Sequence, residues 1–175
     1  MQMVKANLKI RIYGDPCLRK KSELVKEVGP SERFLIEAML DTMNEHKGVG
    51  LAAPQVGISK QIFVADVGEG PVVVINPKIV KKKGTESLEE GCLSIPGITV
   101  KVKRSQKIVV QYLDEMGRPV ERQINDLLAR VFQHETDHLN GKLIVDYASL
   151  SKKLKMKKQL KDLAKLYNPG HHQKS

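Results

Sequence analysis

Residues 133–141 read QHETDHLNG: two histidines four apart, with a glutamate directly after the first. The surrounding sequence predicts a helix from about Asn125 to Leu139, with Asn140 and Gly141 as C-cap residues. Residues four apart on a helix face the same way, their Cβ atoms about 5–6 Å apart, so His134 and His138 can direct ring nitrogens at one cation. Glu135 is rotated roughly a third of a turn away. It is poorly placed as a third ligand beside them and well placed to reach water at the ion. That is the logic of the HExxH pattern: two imidazoles hold the ion and the carboxylate takes a proton from water. Two ligands are not yet a site, because a catalytic ion takes three protein donors and keeps one position open.

The residues alone leave the third donor open. His46 falls at a helix end, His171 and His172 lie in a terminal tail, and carboxylates are too plentiful to single one out. Cys92, in EEGCLSIPG, sits in a tight turn with backbone N–H groups beside it. As a thiolate it completes a His2Cys shell with a fourth position for water; as a small buried thiol it merely packs. Cys17, in GDPCLRK, has no comparable setting and reads as packed.

Working outward, SERFLIEAMLDTMNEHKG (31–48) predicts a helix N-capped by Ser31, with Ile36, Met39, Leu40 and Met43 on one stripe. GVGLAAPQVG (48–57) is too rich in glycine and proline for regular structure. QIFVADVG (61–68) and PVVVINPKIV (71–80) are β-rich runs. In ITVKVKR (98–104), Ile98, Val100 and Val102 alternate with Thr99, Lys101 and Lys103, the period of a half-buried strand. KIVVQYLD and PVERQI continue the alternation across DEMGR, so the middle of the chain predicts an antiparallel meander. A last helix over 150–167 places Leu154, Leu160, Leu163 and Tyr167 on one side, and 168–175 reads as a flexible tail. Without a repeat or linker, the pattern is a single α+β catalytic domain over residues 1–167.

The 175 residues are 41% hydrophobic and 29% charged, which places the chain among globular proteins. No apolar run approaches a membrane span, so no membrane partner is expected. The opening residues lack the apolar core of a secretory signal, and two cysteines make no disulfide framework; both give a cytoplasmic expectation. A net charge of +10 favours polyanions in general without implying sequence-specific nucleic-acid binding.

Three stretches, GVGLAAPQVG, EGCLS (90–94) and QHETDHLNG, occur in this order in peptide deformylases, and the sequence resembles that family. GDPCLRK and VVVINPKI support the likeness, which runs from about Ile10 to Tyr147. The short spacing from Gly57 to Glu90 resembles the compact bacterial type. The likeness implies antiparallel β-sheets packed around a central helix bearing HExxH, with a C-terminal helix. It makes Cys92, His134 and His138 the metal ligands and Glu135 the general base. Gln55 and the backbone N–H of Leu93 become the oxyanion hole. Gly50 becomes the backbone partner of an extended substrate. Val49, Leu88, Leu127 and Val131 become the lining of a methionine pocket, and Glu90 and Arg104 a pair bracing the site. Thr99 stands where some members carry an arginine near the substrate, and Arg130, inside the motif helix, is expected to face solvent.

The reaction implied is hydrolysis of the formyl group from the N-terminal formyl-methionine of newly made polypeptides, with release of formate. The ion implied is one divalent metal: Fe2+ in the cell, with Zn2+, Ni2+ or Co2+ possible in a preparation, since His2Cys ligation suits all of them. An HExxH zinc endopeptidase is the alternative, separated by its third ligand. A structural metal site in an RNA-binding protein is a second rival, which would show no turnover. The seven lysines of residues 149–167 against one aspartate read as a solvated face or as a contact with the ribosome, as in some deformylases.

Overall fold

The computed structural model describes residues 8–167; the tail expected at 168–175 lies outside them. The elements run α1 (Pro30–Glu45), β1 (Gly50–Ala52), β2 (Ile62–Ala65), β3 (Val72–Lys83), β4 (Glu86–Glu90) and β5 (Val100–Arg104). They continue with β6 (Lys107–Leu113), β7 (Pro119–Asn125), α2 (Asp126–Leu139) and α3 (Leu150–Lys165). Strands β1, β2, β3, β6 and β7 form one antiparallel sheet in the order β1-β2-β3-β6-β7, while β4 and β5 form a separate antiparallel pair.

Helix α2 packs against the larger sheet, which makes the motif helix central as expected. Its anchor is Phe132, fully buried, whose ring meets Phe63 of β2 edge-on at 5.0 Å and Tyr112 of β6 at 6.1 Å. Edge-to-face packing of this kind adds to the burial of two large rings. Past Asn140 the chain turns through Gly141 at φ 72°. A β-carbon there would overlap the backbone carbonyl of Arg19, so only glycine can end the helix against that neighbour.

The expected meander is corrected. β5 pairs with β4, whereas β6 joins β3 and β7, although only Ser105 and Gln106 separate β5 from β6. The two strands bury into different cores. Val100 and Val102 pack with Ile95, Ile98, Leu143 and Met156; Ile108 and Val110 pack with Phe63, Ile124 and Phe132. Period-2 alternation gave the inward face of each strand correctly but not the core that it faces.

One helix start and one helix face also differ from expectation. α1 starts at Pro30, with Gly29 rather than Ser31 at the N-cap, and Glu32 accepts the Gly29 N–H at 3.0 Å. Proline at the first helical position loses no hydrogen bond and arrives with helical φ, so it outcompetes the serine that follows. α3 is capped by Ser149, whose hydroxyl accepts from the Lys152 N–H at 3.2 Å. Its docked face is Met156, Leu160 and Leu163, spaced i, i+4, i+7; Leu154, expected on that face, is 72% exposed. Among the described residues no helix is long and apolar enough to cross a membrane.

Phe132→Ala should remove about 3–5 kcal/mol of stability, because it leaves a ring-sized void between α2 and the sheet. Urea unfolding checks this; a loss below about 1 kcal/mol would show that the α2 anchor lies elsewhere.

Candidate active site

Turning His134 and His138 to one side of α2 brings their Nε2 atoms to 3.2 Å. Cys92 reaches them from the turn after β4, a turn closed by the Ile95 N–H donating to the Cys92 carbonyl at 2.9 Å. Its Sγ lies 3.3 Å from His138 Nε2, and the ligand atoms of all three residues lie within 4.8 Å of one another. A tetrahedral ion with metal–nitrogen bonds of about 2.0–2.1 Å and a metal–sulfur bond of about 2.3 Å sets edges of roughly 3.3 Å and 3.6 Å. Two observed edges fall close to those lengths. Lone pairs this near need a proton or a cation between them, and these edge lengths make the donor set fit one metal ion.

The tautomer of His134 is set from behind. Its Nδ1 lies 3.0 Å from Glu90 Oε2, and a carboxylate can only accept there, so Nδ1 carries the proton and Nε2 presents a lone pair. Burial alone would raise the Glu90 carboxyl, but hydrogen bonds from His134 and Arg104 outweigh it and hold the group at about 2. Arg104 grips Glu90 through Nε at 3.0 Å and Nη2 at 2.9 Å, and Asp137 through Nη1 at 2.5 Å. Asp137 also accepts from the Tyr147 hydroxyl at 2.7 Å, with the Arg104 guanidinium 5.0 Å from the centre of the Tyr147 ring. The expected pair of Glu90 and Arg104 therefore lies together, directly behind a candidate ligand.

Glu135 faces the other way. It is 3% exposed, and its Oε2 has no hydrogen-bond partner among the described residues. Burial pushes its carboxyl up to about 7, the range in which a group both takes and returns protons at neutral pH. Gly50 makes room for it: a β-carbon at Gly50 would overlap Glu135 Oε1 and lie 2.8 Å from Val131 Cγ1.

Gln55 is buried in the 3-10 turn Ala53–Val56, and the Ala52 N–H donates to its Oε1 at 2.9 Å. That bond fixes the amide orientation, so Nε2 points inward, 3.5 Å from Cys92 Sγ and 3.2 Å from Ser94 Oγ. Leu93 follows Cys92 on the same wall. A cavity of about 420 Å³ opens over these groups, with Val49, Gly50, Leu93, Leu127 and Val131 on its walls. Leu88 is not on those walls: it is 44% exposed on β4, and its neighbour Glu89 lines the cavity instead.

Arg130 corrects the sequence reading. Expected in solvent, it is 7% exposed and donates to Glu90 Oε1 at 2.7 Å. The available signal was its place four residues before His134, on the same helical face. Asp137, Tyr147 and Ser94 were missed as well; Asp137 sits inside the motif itself.

A mixed α+β fold with a His–His–Cys cluster and a buried carboxylate beside it defines the class: a metal-dependent hydrolase. A family model described as polypeptide deformylase matches residues 7–154. The peptide deformylase of Thermotoga maritima is 51% identical over 158 residues, covering 90% of this chain and 96% of its own length. The crystal structure of a peptide deformylase from Legionella pneumophila superposes with a TM-score of 0.86 at 40% identity, covering 97% of this chain and all of that one. That of the Synechococcus elongatus peptide deformylase in complex with actinonin gives 0.83 at 42% identity, with 93% and 91% covered. The chain belongs to the peptide deformylase family, and it is an enzyme that removes the N-formyl group from newly made polypeptides.

Gly50→Ala should lower kcat/KM by about 100-fold, because the added methyl displaces Glu135 by a fraction of an ångström or more. Steady-state deformylation at matched metal content tests it; a change within threefold would mean that Glu135 is free to move.

Proposed function

We propose that Cys92, His134 and His138 hold the ion, that Glu135 is the general base and acid, and that Gln55 and the Leu93 N–H form the oxyanion hole. The observation that carries this reading is the convergence of one sulfur and two imidazole nitrogens next to a buried carboxylate with an unpartnered oxygen. When bound, the ion supplies Lewis acidity, which brings the ionisation of water toward neutral pH and polarises the formyl carbonyl. Glu135 takes the proton from the attacking water and returns it to the amine that leaves. The Gln55 amide, held by Ala52, and the Leu93 N–H donate to the oxygen on which negative charge builds; removal of such a donor typically costs about 3–4 kcal/mol of barrier. Glu90, braced by Arg104, keeps the His134 proton on Nδ1.

Substrate entry follows from the sheet. Among the described residues β1 pairs only with β2, so its outer edge offers backbone groups at Gly50 to an extended peptide. Val49, Leu127 and Val131 then receive the methionine side chain; such a pocket distinguishes side chains by about 1–3 kcal/mol. The cavity that receives the peptide is also where actinonin, bound by the Synechococcus elongatus relative, would compete with it.

Fe2+ is the proposed cellular ion and the cytoplasm the proposed compartment. Residues 1–167 work as one catalytic domain, in which α3 docks through Met156 and leaves exposed lysines such as Lys155, Lys158 and Lys161 to meet ribosomal RNA.

Formate release from a formyl-methionyl peptide, measured alongside metal content, tests the roles. Glu135→Gln should keep the metal and lose about 10²–10⁴-fold in kcat. Cys92→Ala should lose the metal itself. Equal activity in Glu135→Gln, or full metal retention in Cys92→Ala, would refute these assignments. For α3, replacing Lys155, Lys158 and Lys161 by glutamate should abolish low-salt cosedimentation with ribosomes while deformylation of a free peptide persists; unchanged cosedimentation would refute the contact.

A further inference from the structure

We infer that Arg130 is a positioning residue of this site, tying the carboxylate behind His134 to both strands of the hairpin that carries Cys92. Three acceptors receive its guanidinium: Glu90 Oε1 at 2.7 Å, the Val102 carbonyl at 3.0 Å and the Glu86 carbonyl at 2.9 Å. Glu86 and Glu90 belong to β4 and Val102 to β5, so one side chain of α2 grips the whole pair.

That grip matters because of the topology. The β4–β5 pair has no strand-to-strand hydrogen bonds with the five-stranded sheet. Its placement against α2 therefore rests on side chains: Gln133 of α2 holds both backbone groups of Ser105 just past β5, at 3.0 and 2.8 Å, and two guanidiniums reach across on either side of it. Arg104 reaches from β5 to Asp137, near the C-terminal end of α2, and Arg130 reaches from nearer the N-terminal end back to β4 and β5. Cys92 follows β4 by two residues, so any slide of the hairpin along α2 moves the sulfur against the imidazoles.

Charge balance points the same way. Glu90 and Asp137 share Arg104, which leaves two largely buried carboxylates on one cation; Arg130 brings the cluster to two of each sign. A planar fork can meet a carboxylate and two carbonyls at once, whereas a lysine ammonium cannot hold that arrangement. The Arg130 stem also lines the substrate cavity, between Leu127 and His134 on the same helical face. Hairpin placement, His134 orientation and the cavity wall thus meet in one residue.

This rests on the reading of His134 and Cys92 as ligands, and the test separates the two. Cobalt-loaded wild type, Arg130→Met, Arg130→Lys and the surface control Arg122→Met are compared by visible ligand-field spectrum, by rate of cobalt loss to a chelator, and by kcat and KM. If wild type shows no sulfur-to-cobalt band, the ligand assignment fails before any variant is compared. If it does, Arg130→Met should lose cobalt at least about tenfold faster with altered bands, and Arg130→Lys should recover only part of the difference, with the deficit mainly in kcat. The control should match wild type. Folded Arg130 variants with wild-type bands and wild-type cobalt loss would overturn the inference. So would an Arg130→Lys protein that cannot fold, because the residue would then serve the fold rather than the site.

Discussion

One sulfur on a hairpin and two imidazoles on a helix converge only because a buried set of charges holds the two elements in register. Helix geometry alone brings His134 and His138 together, since four residues make about one turn. Nothing local brings Cys92 to them. The hairpin of β4 and β5 has its own small sheet and meets α2 through Glu90, Arg104, Arg130 and Asp137. Buried ion pairs of this kind give little net stability, because desolvation offsets most of the attraction. What they give is a defined geometry: both Glu90 oxygens and Asp137 Oδ2 are assigned to donors, and the His134 Nδ1 proton is directed at Glu90.

The same set of charges separates the two carboxylates of the site by role. Glu90 sits among guanidiniums and an imidazole and stays ionised as a fixed acceptor. Glu135, seven residues beyond Leu128 on the same helix, is buried without such partners, and its carboxyl moves up toward neutrality. In the proposed mechanism the first is a brace and the second exchanges protons. The space that Glu135 occupies exists because residue 50 has no side chain, and the same glycine lies on the free edge of β1 where a peptide can pair. On the proposed mechanism, base and substrate backbone would both depend on this one small residue.

Local rules made the helix pair of histidines, the strand alternation and most helix stripes legible in the sequence. The arrangement of elements was less so. Val100 and Ile108 alternate alike, but they face different cores because the chain changes sheets across Ser105 and Gln106. Leu154 is as apolar as Leu160, and only the surface beneath α3 decides that Met156 takes the docked position. Cys92 acquired its role through family resemblance, since nothing in its own turn separates a ligand from a packed thiol. Arg130 was read as solvent-facing, although arginine is buried only where partners meet it. Its partners come from a hairpin distant in sequence, and no periodicity announces them.

X-ray absorption at the edge of the bound metal tests the central arrangement most directly. The account predicts one sulfur at about 2.3 Å and two imidazole nitrogens at about 2.0–2.1 Å, with the sulfur contribution absent from Cys92→Ala. A shell of nitrogen and oxygen alone in the unmodified protein, or a sulfur that survives the loss of Cys92, would contradict it.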